Sequence, residues 1–197
     1  MISINPKTLD ERSLYKLMTG SVVPRPIALI TSVNEVGVVN VAPFSYFNVV
    51  TPSPPRISVV IRHLAKGKKD TANNIESMKK FVVHIISESI VEDANLTAKP
   101  LPPNMSELEL TNFTVSSHNG FVVPHLNESK IYFECSLEQV VSFEQSDMFI
   151  GRVENMYFDE SIYDEGKINI KALRPIGRLA GNNYTTLGKI ISLRRPE

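Results

Sequence analysis

Short segments rich in valine and isoleucine, separated by glycine or proline turns, recur along most of the chain. Residues 27–33 and 38–41 are two such segments, and the turn between them ends at Gly37. β-branched residues favour extended backbone, and glycine accommodates the backbone of tight hairpin turns. The pattern predicts a β-hairpin near the N-terminus.

Similar segments predict further strands at residues 44–50, 56–62, 81–86, 130–142 and 148–159. The prolines within residues 51–55 separate two of these strands, because proline cannot donate to a β-ladder. Apolar spacing predicts helices at residues 10–18, 70–80 and 88–97, and Gly20 is placed to end the first.

Many strands joined by hairpins, with short helices between them, favour a β-barrel over a parallel α/β sheet. A barrel also removes the sticky edges that so many valines and isoleucines would create. The strands on both sides of the proline-rich residues 99–103 have the same composition. We therefore expect a single domain over residues 1–197.

Charge and cysteine content narrow the class of protein. The 197 residues include 21 lysines and arginines and 21 aspartates and glutamates, which argues against a nucleic-acid or membrane-surface partner. The chain has neither the pattern of a signal peptide nor a membrane-spanning segment, so we expect a cytoplasmic protein. The one cysteine, Cys135, alternates within a predicted strand and is interpreted as a buried apolar side chain rather than a reactive thiol.

Common catalytic motifs are missing from the sequence. It contains no Gly-x-Gly-x-x-Gly, no P-loop and no Gly-x-Ser-x-Gly, and its four histidines lack metal-ligand spacing. His84 alternates within a strand and is interpreted as a core residue. A bound organic cofactor is thus the best candidate to carry any reaction.

A cationic loop precedes the second predicted helix. Residues 62–69 contain Arg62, Lys66, Lys68 and Lys69, and Asp70 follows. Cations beside a helix N-terminus favour phosphate binding, because the first N–H groups of a helix are unpaired. A solvated lysine turn, with Asp70 as an ordinary N-cap, is an equally good interpretation of these residues alone.

Five blocks together resemble the flavin reductase-like family, in its flavoredoxin-like and flavoprotein-oxygenase-associated branch. They are VPRPIALITS at 23–32, NVAPFSYFN at 40–48, PP at 54–55, KDTANNI at 69–75 and LRPIGRLAGNNY at 173–184. The resemblance covers a core of about residues 20–185, and residues 186–197 form a C-terminal extension. The chain departs from the family pattern at residues 179–181, which affects what stacks over a cofactor.

This resemblance implies a mainly β fold, a closed Greek-key split barrel, in a homodimer that holds FMN non-covalently near the subunit interface. Lys69, Thr71 and Arg62 would bind the phosphate, with Asp70 shaping the helix start. Thr31 and Ser32 would face the flavin ring. The remaining cofactor-binding candidates lie along the ring edge, the ribityl chain and the C-terminal block: Arg25, Asn40, Ala42, Pro43, Phe44, Ser45, Phe47, Asn48 and Tyr184.

The implied reaction is hydride transfer from NADH or NADPH to flavin N5, with electrons passed onward to a downstream acceptor. No catalytic acid or base is assigned, because the flavin carries the chemistry. Two alternatives stay open: an electron-transfer flavoprotein reduced by a protein partner, and a barrel that only stores or senses a flavin. The sequence does not distinguish NADH from NADPH.

Overall fold

A computed structural model describes residues 1–118 and 120–196 of the chain. The α-helices are α1 (Glu11–Ser21), α2 (Asp70–Met78), α3 (Val91–Leu96) and α4 (Ile170–Leu173). The strands are β1 (Ala28–Val33), β2 (Val39–Phe44), β3 (Phe47–Pro52), β4 (Pro55–Arg62), β5 (Lys80–Ile85), β6 (Val115–Ser116), β7 (His125–Leu126), β8 (Ile131–Phe143), β9 (Ser146–Phe158), β10 (Tyr163–Asp164), β11 (Lys167–Ile168), β12 (Gly177–Arg178) and β13 (Tyr184–Thr185). Short 3₁₀ helices lie at Pro6–Thr8, Glu107–Leu110 and Glu160–Ile162.

One seven-stranded antiparallel sheet forms the body of the fold, in the order β2-β1-β5-β8-β9-β4-β3. Its two edge strands, β2 and β3, are joined by only Ser45 and Tyr46. A connection this short keeps the edges within about 10 Å of each other. The sheet must therefore curl on itself, although its hydrogen-bonded order runs from edge to edge.

The main hydrophobic core fills the inside of this curl. It draws side chains from β1, β2, β4, β5, β8, β9 and α2, among them Ile30, Phe44, Ile61, Ile75, Phe81 and Phe149. A second cluster lies on the other side of β1, where Leu29 and Ile86 pack against Leu126 and Ile176. β1 is buried along its whole length because it has packed neighbours on both faces.

Gly151 leaves space for a core aromatic ring. A Cβ atom at this position would lie 2.5 Å from Phe81 Cζ, and the Phe81 side chain is fully buried. We expect Gly151→Ala to lower the free energy of unfolding by about 1–3 kcal/mol through overpacking. Urea denaturation measures this, with Gly188→Ala as the control because nothing lies within 4 Å of its added Cβ. Equal stability of the two variants would contradict the prediction.

The sequence located the long strands correctly, with errors at element ends. The predicted single segment over residues 44–50 is wrong, since β2 ends at Phe44 and β3 begins at Phe47. The predicted stop at Gly20 is also wrong, because α1 continues to Ser21. The Arg25 guanidinium donates to the carbonyls of Thr19 and Val22 at 2.5 and 2.7 Å and so stabilises the longer helix end. The third helix is shorter than predicted and covers Val91–Leu96 only.

His84 and Cys135 have the structural roles predicted for them. His84 is fully buried, and its ring nitrogens contact the Leu29 carbonyl at 2.9 Å and the Leu126 N–H at 3.0 Å. Burial lowers the pKa of His84 to about 3, so the ring is neutral. Cys135 is fully buried, which raises the pKa of its thiol. In the described part of the chain, no helix is long and apolar enough to cross a membrane.

Candidate functional site

A cleft of about 280 Å³ opens between the start of α2, β2 and the segment after α3. We call it the lysine cleft. Several of the predicted site residues line it: Asn40, Ala42, Pro43, Lys69, Asp70 and Thr71. The opposite wall consists of residues 97–101 and Glu107. The structure thus brings together the two sequence blocks that contain Asn40 and Lys69.

Lys69 occupies the N-cap position of α2 and is half-buried. Its Nζ atom lies 5.5 Å from the centre of the Phe44 ring, and it forms no ion pair with a carboxylate among residues 1–118 and 120–196. Burial, with repulsion from Arg62, lowers the pKa of Lys69. A half-buried cation without a counter-ion, next to the unpaired N–H groups of a helix start, suits an anionic ligand.

A chain of buried polar side chains holds Thr71 at the cleft. Asn40 Nδ2 donates to Thr71 Oγ1 at 2.8 Å and lies 3.5 Å from Ser32 Oγ. Ser32 Oγ also accepts from Asn74 Nδ2 at 3.2 Å. These bonds tie β1, β2 and α2 together, so the first turn of the helix has a fixed position against the sheet.

A second cleft of about 300 Å³ continues from the lysine cleft, with Pro43 and Ala98 lining both. We call it the arginine cleft, since Arg25 and Arg178 line it together with Tyr184. A third, of about 620 Å³, lies against α1 and is called the helix cleft. Arg25 and Ser45 line both the arginine cleft and the helix cleft, so the three form one groove.

Arg25 is a structural residue at the centre of this groove. It is 8 % exposed and donates to the carbonyls of Thr19, Val22 and Leu179. Its Nε lies 3.5 Å from Ser45 Oγ. One guanidinium therefore connects the end of α1, the β2–β3 connection and the C-terminal block.

The cationic loop divides into ion-paired residues and two lysines without an ion pair among the described residues, the exposed Lys66 and the half-buried Lys69. Lys68 pairs with Glu76 at 2.6 Å and with Asp147 at 3.1 Å, and His63 Nε2 lies 2.8 Å from Asp147 Oδ2. Arg62 pairs with Glu11 at 2.8 Å and lines the helix cleft instead of the lysine cleft. Arg62 therefore lines a different cleft from Lys69 and Thr71, and acidic partners hold Arg62, His63 and Lys68.

Asp147 anchors this loop, and its carboxylate makes the stability of the fold depend on pH in the acidic range. Burial raises the pKa of Asp147, but hydrogen bonds from Ser142, His63 and Lys68 outweigh burial and lower it from 3.8 to about 2. The stabilisation is present above about pH 4 and is lost as the pH falls through about 2, because the folded pKa lies below the unfolded one. We expect Asp147→Asn to cost about 1–2 kcal/mol at neutral pH and less as the pH falls towards 2.

Urea denaturation between neutral pH and about pH 2 measures this difference. The control is Asp164→Asn, since Asp164 is exposed on the β10–β11 hairpin. A cost for Asp147→Asn that stays constant over the whole pH range would contradict the proposed role of the carboxylate.

Three of the predicted residues face the protein interior. The Thr31 hydroxyl is fully buried and donates to the Pro124 carbonyl at 2.6 Å. Ser32 is also fully buried, within the network described above. The Phe44 side chain packs in the main core. None of the three lines the groove, so their side chains support its walls.

The other predicted residues lie further along the groove. Phe47 and Asn48 line the helix cleft, and the Asn48 side chain accepts the N–H of Val49 at 2.8 Å. The Tyr184 hydroxyl donates to Asn95 Oδ1 at 2.9 Å at the edge of the arginine cleft. Asp70 is the first residue of α2, so it is not the N-cap.

Sequence reasoning missed three charged residues that line the lysine and arginine clefts. Glu107 is buried and accepts the Val41 N–H at 2.9 Å, and burial, with the nearby charge of Asp70, raises its pKa. Lys99 lines the lysine cleft beside a proline-rich loop. Arg178 lies in the block at residues 173–184 that resembles the family. This resemblance was a signal in the sequence for Arg178, and it does not extend to Glu107 or Lys99.

Residues 19–173 match the flavin reductase like domain, which is most of the chain and includes the lysine cleft. The chain belongs to the flavin reductase-like family. A solved structure of nitrilotriacetate monooxygenase component B from Bacillus cereus is 45% identical and superposes with a TM-score of 0.94, covering 98% of each chain.

Another solved relative of this flavin reductase-like protein is the 2-nitrobenzoate 2-nitroreductase of Pseudomonas fluorescens. It is 34% identical with a TM-score of 0.91, and the alignment covers 99% of this chain and 96% of that one. The flavoredoxin of Methanosarcina acetivorans is 20% identical with a TM-score of 0.77, covering 98% and 94% of the two chains. This last likeness shows a shared fold.

Proposed function

We propose that this protein binds FMN non-covalently in the groove and acts as an NAD(P)H-dependent flavin oxidoreductase. The observation that carries the proposal is Lys69, a half-buried cation without an acidic partner among the described residues, at the start of α2. Membership of the flavin reductase-like family supports the choice of a flavin as the anionic ligand.

The lining residues fit the parts of FMN. Lys69 and the N–H groups at the start of α2 would bind the phosphate. Thr71 Oγ1 accepts from Asn40, so its own proton is available to a phosphate oxygen. The backbone of Ala42, Pro43 and Ser45 would follow the ring edge into the arginine cleft, since Ala42 lines the lysine cleft, Pro43 lines both clefts and Ser45 lines the arginine cleft. Arg62, Phe47 and Asn48 would contact the cofactor only from the helix cleft.

When bound, FMN would supply the redox chemistry, which is hydride transfer from NADH or NADPH to flavin N5 and onward transfer of electrons. The protein binds and orients the reactants. Tyr184 and Arg178 border the space next to the predicted ring edge. No side chain is assigned as an acid or base.

Titration of the FMN-loaded protein with NADH and NADPH in the absence of air tests the function. Loss of the oxidised flavin absorbance with either nucleotide supports the oxidoreductase. Reduction only by a reduced protein donor would favour the electron-transfer alternative, and no reduction by any donor would favour a storage or sensing role. Failure to bind FMN would overturn the proposal as a whole.

The acceptor is proposed to be a flavin-dependent monooxygenase partner. The 45% identity to nitrilotriacetate monooxygenase component B over nearly the whole of both chains supports this choice. A direct nitroaromatic acceptor is the second candidate, supported by 34% identity to the 2-nitrobenzoate nitroreductase. Oxidation of the reduced protein by 2-nitrobenzoate under argon distinguishes the two.

The predicted assembly and barrel also belong to this proposal. We propose one domain over residues 1–197, a closed split barrel, and a cytoplasmic homodimer. Exposed apolar side chains near the helix cleft, Met18, Val22, Val49 and Val50, support an interface there. Light scattering after size exclusion measures the mass, and a monomer at micromolar concentration would contradict the dimer.

A further inference from the structure

The arginine cleft has an excess of positively charged side chains, which the lysine cleft lacks. Two arginines line it, and no aspartate or glutamate is among the described residues that do so. In the lysine cleft, by contrast, Lys69 and Lys99 face Asp70 and Glu107. In a chain with zero formal net charge, this local excess of positive charge favours an anionic ligand.

The two arginines differ in the hydrogen bonds that they can still make. Arg25 already donates to three backbone carbonyls, so it contributes charge but little further binding capacity. Among the described residues, the Arg178 guanidinium donates to a single acceptor, the Gly181 carbonyl, at 2.5 Å. A guanidinium has five N–H donors, so most of those on Arg178 have no acceptor within the described residues.

Arg178 is also held in place before any ligand binds. Its guanidinium carbon lies 4.4 Å from the centre of the Tyr184 ring, and the Tyr184 hydroxyl is fixed by Asn95. The turn that supplies the Gly181 carbonyl is closed by the Leu179 N–H, which donates to the Asn183 carbonyl at 2.9 Å. Gly181 has a φ of 60°, a conformation that favours glycine. A pre-oriented guanidinium with free donors is well suited to bind an oxyanion.

We propose that Arg178, held in place by the Tyr184 ring, forms an oxyanion subsite for the small molecule that exchanges electrons with FMN. This inference rests on the proposed function, because it places the second reactant beside the groove that would hold FMN. Two reactants share the required chemistry of a planar ring joined to an oxyanion. One is the pyridine nucleotide, whose phosphate would bind Arg178. The other is an aromatic carboxylate, whose carboxylate group would bind Arg178. A cleft of about 300 Å³ accommodates a benzoate-sized molecule or the nearer part of a dinucleotide.

Arg178→Met is the test variant, because methionine keeps an apolar stem against Tyr184 and removes the charge. Arg178→Lys keeps the charge without the planar donors. Arg152→Met, at an exposed position on β9, is the matched control. Thermal denaturation establishes that all three variants are folded. FMN affinity, measured by fluorescence quenching, is expected to change less than about threefold in each variant.

For the donor, we expect Arg178→Met to raise the KM for NADH or NADPH about tenfold or more with little change in kcat. For an acceptor, the probe is benzoate, and its binding is measured by NMR with and without FMN. We expect Arg178→Met to weaken benzoate binding about tenfold and to leave the binding of neutral benzamide unchanged. A response of either probe supports the subsite and identifies the reactant. If both probes bind Arg178→Met as they bind the wild-type protein, the subsite is overturned while FMN reduction stands. If FMN does not bind, the proposed function fails, and benzoate binding to the free protein still tests Arg178.

Discussion

Replacing Lys69 with alanine is expected to weaken FMN binding about ten- to a hundredfold. The variant loses one charge-assisted hydrogen bond to the phosphate, worth about 1.5–3 kcal/mol. The bond should lie near the upper end of that range, because Lys69 is half-buried and has no carboxylate partner in the described part of the chain. Quenching of flavin fluorescence on titration with protein measures the affinity.

Two comparisons make the Lys69 result specific to the phosphate. Riboflavin lacks the phosphate, so its affinity should be nearly the same for Lys69→Ala and the wild-type protein. Lys66→Ala removes a cation from the exposed part of the same loop, outside the lining of the three clefts, and should leave FMN affinity unchanged. Unchanged FMN affinity in Lys69→Ala would place the phosphate elsewhere. Adding Arg62→Ala then tests the helix cleft, which Arg62 lines.

Replacing Arg25 with methionine is expected to lower the free energy of unfolding by about 3 kcal/mol. The substitution leaves the carbonyls of Thr19, Val22 and Leu179 without their donor in a region where Arg25 is only 8 % exposed. Buried acceptors that lose a charged donor cost about 1–3 kcal/mol each, and partial access of water reduces the sum. Urea denaturation of the folded variant measures the loss.

Arg12→Met is the matched control for Arg25→Met. Arg12 lies in α1 near the same cleft but is exposed, so its replacement should change stability by less than about 0.5 kcal/mol. Arg25→Lys should recover only part of the stability, because one ammonium group cannot span three carbonyls. Full recovery with lysine would mean that charge alone, and not the planar donor array, holds the three segments.

The positions of the strands followed from local sequence, because β-branched runs and turn residues act over a few neighbours. The ends of elements depended on side-chain hydrogen bonds and on the order of strands in the sheet, which strand and helix propensities do not contain. α1 passes Gly20 because Arg25 donates to its last carbonyls. β2 and β3 are separate strands because they form opposite edges of one sheet, which the run over residues 44–50 does not reveal.

The site was predictable at the level of sequence blocks and less so at the level of side chains. The blocks containing Asn40 and Lys69 do meet, and a hydrogen bond of 2.8 Å joins Asn40 to Thr71. Thr31 and Ser32 are polar residues in a strand that is buried on both faces, so their hydroxyls bond within the protein. The alternation of polar and apolar residues along one strand does not show that a second layer of the protein covers the polar face of that strand.

The sequence by itself determined the long strands, the start of α2 beside a cationic loop and the family, because each depends on residues close together in the chain or on blocks in order. Only the tertiary structure decided which cations are available to a ligand. Asp147 and Glu76 pair with Lys68, Glu11 pairs with Arg62, and Lys69 has no such partner within the described residues. Ion pairing depends on distances of a few ångströms between side chains far apart in sequence, and folding alone sets those distances.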